Sequence, residues 1–230
     1  MLKYRSKEKE LLDATDIPKK DLFLNLKELN VINTWLGGYR ISSAGIQKIL
    51  KSNTIVSLVD IGCGGGDTLK YIYTRLKKKN VNMALTGIDL NPVCIDYAKA
   101  NAANYPITFI CDDYKQLFHH VPSVDIIHAC LFCHHLNEDQ LVELVQFARA
   151  HKAILLINDL ERNRMAYHAI LWLTKLFSKS YLVKNDAPLS VARGFKKKEW
   201  KTIMDKAGVV KYSVKNMWAF RHQVIVYGNN

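Results

Sequence analysis

One glycine-rich stretch decides the fold of this 230-residue chain, and it reads Val59-Asp60-Ile61-Gly62-Cys63-Gly64-Gly65-Gly66-Asp67-Thr68. An apolar, β-branched run at residues 55–59 precedes it, and a helical pattern with Leu69, Ile72 and Leu76 follows it. This order predicts a buried strand, a tight turn and a helix. Glycine has no Cβ and tolerates positive φ, so the turn can bend sharply and lie against a ligand. The first turn of the helix would offer free N–H groups to that ligand.

The spacing of the glycines separates two classes of nucleotide-binding turn. A dinucleotide-binding turn follows G-x-G-x-x-G, whose third glycine would fall at position 67, where this chain has Asp67. Residues 60–66 instead read D-x-G-x-G-x-G, which resembles motif I of the class I S-adenosylmethionine-dependent methyltransferases. The resemblance implies that Asp60 lies near the methionyl amino group of S-adenosylmethionine. It also implies that the turn contacts the methionyl and ribose parts through Gly62, Cys63, Gly64 and Gly66.

Two further acidic strand ends extend the resemblance. The second predicted strand, residues 83–88, ends at Asp89, which can accept hydrogen bonds from both ribose hydroxyls; Leu90 beside it completes this part of the predicted cofactor site. The third predicted strand, residues 107–111, ends in Asp112 and Asp113, and in the resembled family an acidic residue here approaches the adenine amino group. Asp112 is the preferred candidate of the two. A ligand outside the carboxyl ends of a parallel sheet would meet all of these strand ends.

The resemblance covers residues 52–160 and implies an α/β fold. We expect a doubly wound, Rossmann-like sheet of seven mostly parallel strands in the order 3-2-1-4-5-7-6, with the last strand antiparallel. A single methyltransferase domain, residues 1–230, is expected to have four parts. These are an N-terminal helical lid at 1–51, a cofactor-binding core at 52–160, an acceptor-pocket insertion at 161–195, and a C-terminal helix and hairpin at 196–230.

Local patterns outside the core predict further elements. A short polar helix is expected at residues 5–13, and further helices are expected at 21–36 and 43–50. An almost uniformly apolar helix is expected at residues 165–177. Residues 178–190, which include Pro188, are expected to form a loop.

The amino-acid composition limits the classes of protein to which this chain can belong. Hydrophobic residues make up 49% and charged residues 23% of the chain, an ordinary globular balance. No apolar run reaches the roughly 18 residues of a spanning helix, and the charged N-terminus lacks a signal peptide, so we expect a cytoplasmic protein without a membrane span. The five cysteines lie in or beside apolar stretches, as buried thiols do. The formal net charge is +12. Basic residues at solvated helix ends would explain this charge, and so would a nucleic acid or another acidic partner.

Two histidines follow the fourth predicted strand, residues 124–132, at the place where the resembled family borders the transferring methyl. They are His134 and His135, and Cys130-Leu131-Phe132-Cys133-His134 also matches a haem-attachment pattern, which the strand-like surroundings disfavour. The fifth predicted strand is followed by Asn158 and Asp159. These residues depart from the N/D-P-P-Y/F tetrapeptide of nucleobase-modifying enzymes and from the ligands of metal-dependent catechol-type enzymes. We therefore expect no metal ion.

Histidine has a suitable pKa for a general base if the methyl acceptor is a hydroxyl group. His135 is the favoured base, because His134 could point into the core; His168 is a third candidate. Asp159 could orient one of the imidazoles, as carboxylates do in other acid–base pairs. An aromatic or anionic acceptor could be held by Tyr167, His168, Trp172 and Arg193.

The sequence therefore predicts a methyltransferase that uses S-adenosylmethionine, yields S-adenosylhomocysteine, and methylates a small phenolic, quinol-precursor or polyketide-like acceptor, preferably at oxygen. The alternatives are an RNA or protein methyltransferase, which the charge of +12 would suit, and a non-catalytic protein that binds S-adenosylmethionine. No separate RNA-binding module is visible in the sequence, which disfavours nucleic acid as a partner. The oligomeric state is left open, with a homodimer as one option.

Overall fold

A computed structural model describes residues 2–14, 16–50 and 56–228 of the chain. Its strands are β1 (Val56–Ile61), β2 (Met83–Asp89), β3 (Ile107–Cys111), β4 (Ile126–Cys130), β5 (Ile154–Leu160), β6 (Tyr212–Met217) and β7 (Arg221–Val226). Its α-helices are α1 (Lys19–Trp35), α2 (Gly38–Ile49), α3 (Asp67–Lys77), α4 (Pro92–Asn101), α5 (Leu117–His120), α6 (Glu138–Ala150), α7 (Arg164–Phe177), α8 (Tyr181–Arg193) and α9 (Lys197–Lys206). Ile55, which the sequence placed in the first apolar run, and the predicted boundary between residues 51 and 52 lie outside the described residues.

The seven strands form one sheet in the order β3-β2-β1-β4-β5-β7-β6. The first five strands are parallel to one another, and β7 is antiparallel to both of its neighbours. The predicted fold class and strand order are therefore confirmed. The carboxyl ends of β1 to β5 meet at one edge of the sheet, which is where ligands bind in open α/β folds.

Helices cover both faces of this sheet, and alternate strand residues point to opposite sides. Val59 and Ile127 belong to a core that α6 and α9 cover, together with the fully buried Trp200. Leu58 and Leu156 belong to a second core, which includes residues of α2, α3 and α4. Because both faces are buried, the central strands are mostly apolar, and Asp60, His128 and Asn158 are polar exceptions toward their carboxyl ends.

The N-terminal segment, residues 5–13, differs from the predicted helix. Only its last three residues form a 3-10 turn, and the segment lies along α8. The backbone N–H of Ser6 donates to the carbonyl of Ala192 at 3.1 Å, and those of Leu11 and Leu12 donate to the carboxylate of Asp186 at 2.8 and 2.9 Å. The prediction was wrong because these tertiary partners satisfy main-chain donors that a helix would otherwise use.

The predicted loop at residues 178–190 was also wrong, because most of it belongs to α8. Ser180 caps this helix by accepting from the N–H of Val183 at 3.3 Å. Pro188 lies inside the helix. Buried residues of the helix, including Leu182, pack the helix against the rest of the protein. Tertiary packing thus outweighs the loss of one backbone hydrogen bond at proline.

The remaining helices and strands follow the predictions with shifted ends. Helix α2 begins at Gly38, five residues earlier than expected, and α7 coincides with the predicted apolar helix. Strand β4 is shorter than predicted, since Leu131 has a φ of +54° and turns the chain out of the sheet. No helix in the described parts of the chain is both long and apolar enough to cross a membrane.

A buried histidine on β7 predicts how stability depends on pH. Burial lowers the pKa of His222, while the carboxylates of Glu161 and Asp159 partly oppose this shift. As pH falls through about 6.5, His222 therefore becomes protonated in the unfolded chain while it stays neutral in the folded chain. The contribution of this residue to stability is complete above that pH, and below it falls by up to about 1.4 kcal/mol per pH unit.

Denaturant unfolding of the protein at pH 5.5, 6.5 and 7.5 measures this effect. We expect His222→Gln to flatten the acid side of the stability profile, whatever its effect on stability at pH 7.5. His119→Gln, a change at an exposed histidine on α5, is the matched control and should leave the slope unchanged. Equal slopes in the two variants would contradict the assignment.

Candidate active site

The glycine-rich turn connects β1 to α3 and has the strained geometry that glycine permits. Gly62, Gly64 and Gly66 have φ values of +64°, +52° and +74°. A Cβ at Gly62 would lie 2.3 Å from Cδ2 of Phe132, so a larger residue is excluded by contact as well as by φ. The side chain of Cys63 is buried in the core, which leaves its main chain as the part available to a ligand.

Asp60, at the end of β1, is directed into a buried polar network. Its carboxylate lies 2.7 Å from Nδ1 of His128, and Nε2 of that histidine lies 2.9 Å from the hydroxyl of Ser42. The side-chain amide of Asn158 donates to the same hydroxyl at 2.9 Å. The network links β1, β4, β5 and α2, so Asp60 holds the sheet edge together; its approach to a ligand stays a prediction.

Asp89, at the end of β2, lies directly against the glycine-rich turn. Its carboxylate accepts hydrogen bonds from the N–H groups of Gly64 and Asn91, each at 2.9 Å. Burial raises the pKa of Asp89, and these N–H groups and the nearby His135 partly oppose the shift. Leu90 beside it is 69% exposed, an unusual position for a large apolar side chain.

Asp112 and Asp113 follow β3 and lie beside the end of β2. The N–H of Asp112 donates to the carbonyl of Asp89 at 3.1 Å, which joins the two strand ends. The Asp112 carboxylate is partly exposed and lies 2.7 Å from Nε2 of His120, which lowers the pKa of the carboxyl group. Asp113 instead accepts from the N–H of Lys115 at 2.9 Å and so caps a 3-10 turn.

His134 and His135 lie in a 3-10 turn after β4, and each imidazole is held by a carboxylate. Nδ1 of the buried His134 lies 2.7 Å from Asp159, which also accepts from the backbone N–H of His134 at 3.0 Å. Nδ1 of the less buried His135 lies 3.0 Å from Asp13. The structure therefore pairs Asp159 with His134, and gives His135 a partner from the N-terminal segment.

The Nε2 atoms of both histidines face one carboxylate, that of Glu10. The distances are 3.6 Å from His134 and 3.8 Å from His135. Burial raises the pKa of Glu10 to about 7, although His135, a hydrogen bond from Ser190 and the charge of Arg193 oppose it. We call Glu10, Asp13, His134, His135 and Asp159 the histidine cluster.

Asp13 and Asp159, the carboxylates of the histidine cluster that lie at Nδ1 of the imidazoles, ionise readily. Burial alone would raise the pKa of Asp13, but hydrogen bonds from His135 and Arg193 hold it well below its usual range. The pKa of Asp159 is likewise lowered, because His134 outweighs the effect of burial. Ionised Asp13 and Asp159 would keep the Nδ1 proton on each imidazole, which leaves Nε2 as the basic atom.

Arg193, predicted to hold an acceptor, lies buried behind the histidine cluster. Its guanidinium donates to the carbonyls of His134 and His135 at 3.1 and 3.0 Å and to Asp13 at 3.2 Å. Arg5 also donates to the carbonyl of His134. These contacts position the histidines; a contact with an acceptor stays a prediction.

The structure does not join the other predicted acceptor residues to the histidine cluster. Tyr167 and His168 contact each other edge to face, with ring centroids 5.4 Å apart. His168 is exposed, and Trp172 is 58% exposed on the outer side of α7. Among the described residues, no hydrogen bond, ion pair or ring contact connects these three side chains with the cluster.

Glu10 and Asp13 are the functional candidates that sequence reasoning missed. Both lie in a charged segment more than 120 positions from the histidines, and such a segment is ordinarily a solvated surface. Ligand atoms of Glu10, His134 and His135 lie within 4.8 Å of one another, so these residues could also hold a metal ion. The expectation of no metal therefore stays a prediction.

Comparisons with known proteins place this chain beside methyltransferases in sequence and in fold. A family model described as a methyltransferase domain matches residues 58–153. The plantazolicin methyltransferase BpumL, solved with a monoazolic desmethylPZN analog and SAH, is 18% identical, with 91% of this chain and 90% of that chain covered and a TM-score of 0.64. The plantazolicin methyltransferase BamL, with a triazolic analog and SAH, is 17% identical over 91% of each chain, with a TM-score of 0.60.

The pyocyanin biosynthetic protein PhzM is a more distant likeness, 16% identical over 85% of this chain and 55% of its own, with a TM-score of 0.57. At these identities, the structural likenesses show a shared fold. A comparison with curated protein sequences finds no match.

Proposed function

We propose that this chain is a class I S-adenosylmethionine-dependent methyltransferase and that it methylates a hydroxyl oxygen of a small phenolic or polyketide-like acceptor. The observation that carries the proposal is the histidine cluster. The Nε2 atoms of its two imidazoles face the same place, beside the carboxylate of Glu10. Each imidazole has a carboxylate at Nδ1. Such pairs serve as general bases toward hydroxyl groups.

The residues at the sheet edge fit S-adenosylmethionine. A Cβ at Gly64 would meet only Cδ2 of Leu26, at 3.6 Å, so the turn has room on that side. The Asp89 carboxylate is suited to ribose hydroxyls, exposed Leu90 to a face of the purine, and Asp112 to its amino group. We therefore assign cofactor binding to Asp60, Asp89, Leu90, Asp112 and the glycine-rich turn.

The bound cofactor supplies a methyl group on a sulfonium, which is already activated for in-line displacement. The protein has to align the acceptor, exclude water and take the hydroxyl proton. We assign the last role to Nε2 of His135, the more accessible histidine, with Asp13 as its positioning residue. The N–H of His135 donates to the carbonyl of Phe132 at 3.1 Å, and the ring of Phe132 lies against Gly62, so the histidine cluster lies next to the glycine-rich turn.

A small acceptor is supported by the similar structures, which include plantazolicin methyltransferases and a pyocyanin biosynthetic protein.

Titration calorimetry with S-adenosylmethionine and S-adenosylhomocysteine, followed by methyl transfer to a panel of phenols and to RNA, tests the proposal. We expect both nucleosides to bind, a phenol to be methylated, and the rate to survive dialysis against a chelator. Binding without turnover would favour a non-catalytic protein, and salt-sensitive RNA binding with RNA methylation would favour the alternative enzyme. Loss of activity on chelation would assign a metal to the histidine cluster.

A further inference from the structure

The outer side of α7 is an exposed apolar stripe. Its members recur at helical spacing, and only Ala166 and Thr174 of this helix are buried. The large exposed side chains, with their exposed fractions, are Met165 (71%), Trp172 (58%), Leu173 (40%), Leu176 (70%) and Phe177 (79%). A contiguous apolar surface of this kind on a folded protein usually marks an interaction site.

Basic residues border this stripe, and acidic residues are missing from it. Residues 164–184 contain Arg164, Lys175, Lys179 and Lys184 but no aspartate or glutamate. Arg164 and Lys175 lie to one side of the stripe, and the Lys175 ammonium lies 5.4 Å from the ring centroid of Trp172. A helix with aromatic and aliphatic residues on one side and basic residues at its flank is typical of segments that bind anionic lipid surfaces.

Large exposed apolar side chains also lie on α1, which is held beside the end of α7. The Glu28 carboxylate of α1 accepts from the N–H of Lys179 at 2.8 Å, which holds α1 beside the α7–α8 turn. Further along α1, Val31 is 56% exposed and Trp35 is 84% exposed. Trp218, 76% exposed, lies beside the α1–α2 turn, since its Cδ1 would be 3.9 Å from a Cβ at Gly37.

Three of the four tryptophans are therefore exposed, one each on α1, on α7 and in the β6–β7 turn. Tryptophan favours the boundary between water and hydrocarbon, where its ring is buried and its N–H remains hydrated. With 14 residues, α7 is about 21 Å long, too short to span a bilayer but long enough to lie in its surface.

We propose that the α7 stripe binds the surface of an anionic membrane, with Trp172, Leu176 and Phe177 inserted among the lipid headgroups. Charge decides between this partner and a second copy of the chain. A symmetric dimer through α7 would place the same four cations of residues 164–184 against each other, whereas anionic lipids neutralise them. The inference stands apart from the proposed reaction, because it uses no residue of the histidine cluster or the cofactor edge.

Co-sedimentation of the full chain with lipid vesicles tests this inference. We expect binding to vesicles of phosphatidylcholine with 30% phosphatidylserine, weaker binding to phosphatidylcholine alone, and a decrease as salt is raised. The triple variant Trp172→Ser, Leu176→Ser, Phe177→Ser should bind the mixed vesicles at least 10-fold more weakly. These side chains are exposed, so circular dichroism and thermal unfolding should match the parent.

Val210→Ser is the matched control, since Val210 is 96% exposed but lies between α9 and β6, and it should bind as the parent does. Lys175→Glu with Lys179→Glu should abolish the preference for phosphatidylserine. No binding to either vesicle, or unchanged binding by the triple variant, would overturn the proposal. So would a dimer in solution that the triple variant converts to a monomer, which would assign the stripe to a second copy.

Discussion

His135→Asn should lower kcat for methyl transfer by about 100- to 10,000-fold, the usual contribution of a general base. Asparagine cannot accept the acceptor's proton, yet it can still hydrogen-bond to Asp13. Because the cofactor edge is intact, the Kd for S-adenosylmethionine should change less than threefold. Stopped assays at saturating cofactor and isothermal calorimetry measure the two quantities separately.

Two further variants separate catalysis from positioning. His119→Asn, at an exposed position on α5, should keep the parent's kcat. Asp13→Asn should leave the base in place but remove the charge that supports it, so the acidic limb of the pH–rate profile should move to lower pH. A parental kcat in His135→Asn, with folding verified, would refute the assignment of the base.

Asp89→Ala should weaken binding of S-adenosylmethionine by about 100-fold or more. The proposed contacts of this carboxylate with two ribose hydroxyls are hydrogen bonds to a charged group, each worth roughly 1.5–3 kcal/mol. The same carboxylate accepts from the N–H of Gly64, so its loss also loosens the glycine-rich turn. Calorimetric titration with S-adenosylmethionine and S-adenosylhomocysteine gives the two dissociation constants directly.

Asp113→Ala is the matched control for this variant, because Asp113 lies one strand away and caps a 3-10 turn. It should bind both nucleosides within a few-fold of the parent. Thermal unfolding of Asp89→Ala without ligand shows whether the turn remains folded. An unchanged Kd in a folded Asp89→Ala protein would mean that the ribose contacts are made elsewhere.

The sheet could be predicted because its signals are local. A β-branched apolar run, a turn that only glycine tolerates, and acidic residues at strand ends each occupy a few consecutive positions. The cap of α4 is equally local, since the side chain of Asn91 accepts from the N–H of Val93, two residues away, at 2.9 Å. Such patterns predict the carboxyl edge of the sheet before any tertiary contact is known.

The histidine cluster could be predicted only in part. The two histidines and Asp159 follow strands and were identified, but the sequence did not show which imidazole Asp159 would hold. Glu10 and Asp13 were missed because their positions beside the imidazoles depend on contacts with residues 186–193, at the other end of the chain. Helix α8 was missed for a related reason: Pro188 is a local signal against a helix, and distant packing overrides it.

The docking of the N-terminal segment on α8 has a consequence for how the protein matures. Residues 5–13 are made before the partners that hold them, which follow about 180 residues later in the chain. Contacts of such long sequence separation form late, because loop closure must precede them. A nascent chain can therefore assemble strands β1 to β5 while Glu10 and Asp13 are still remote from the imidazoles, so we expect the histidine cluster to be the last part of the proposed site to form.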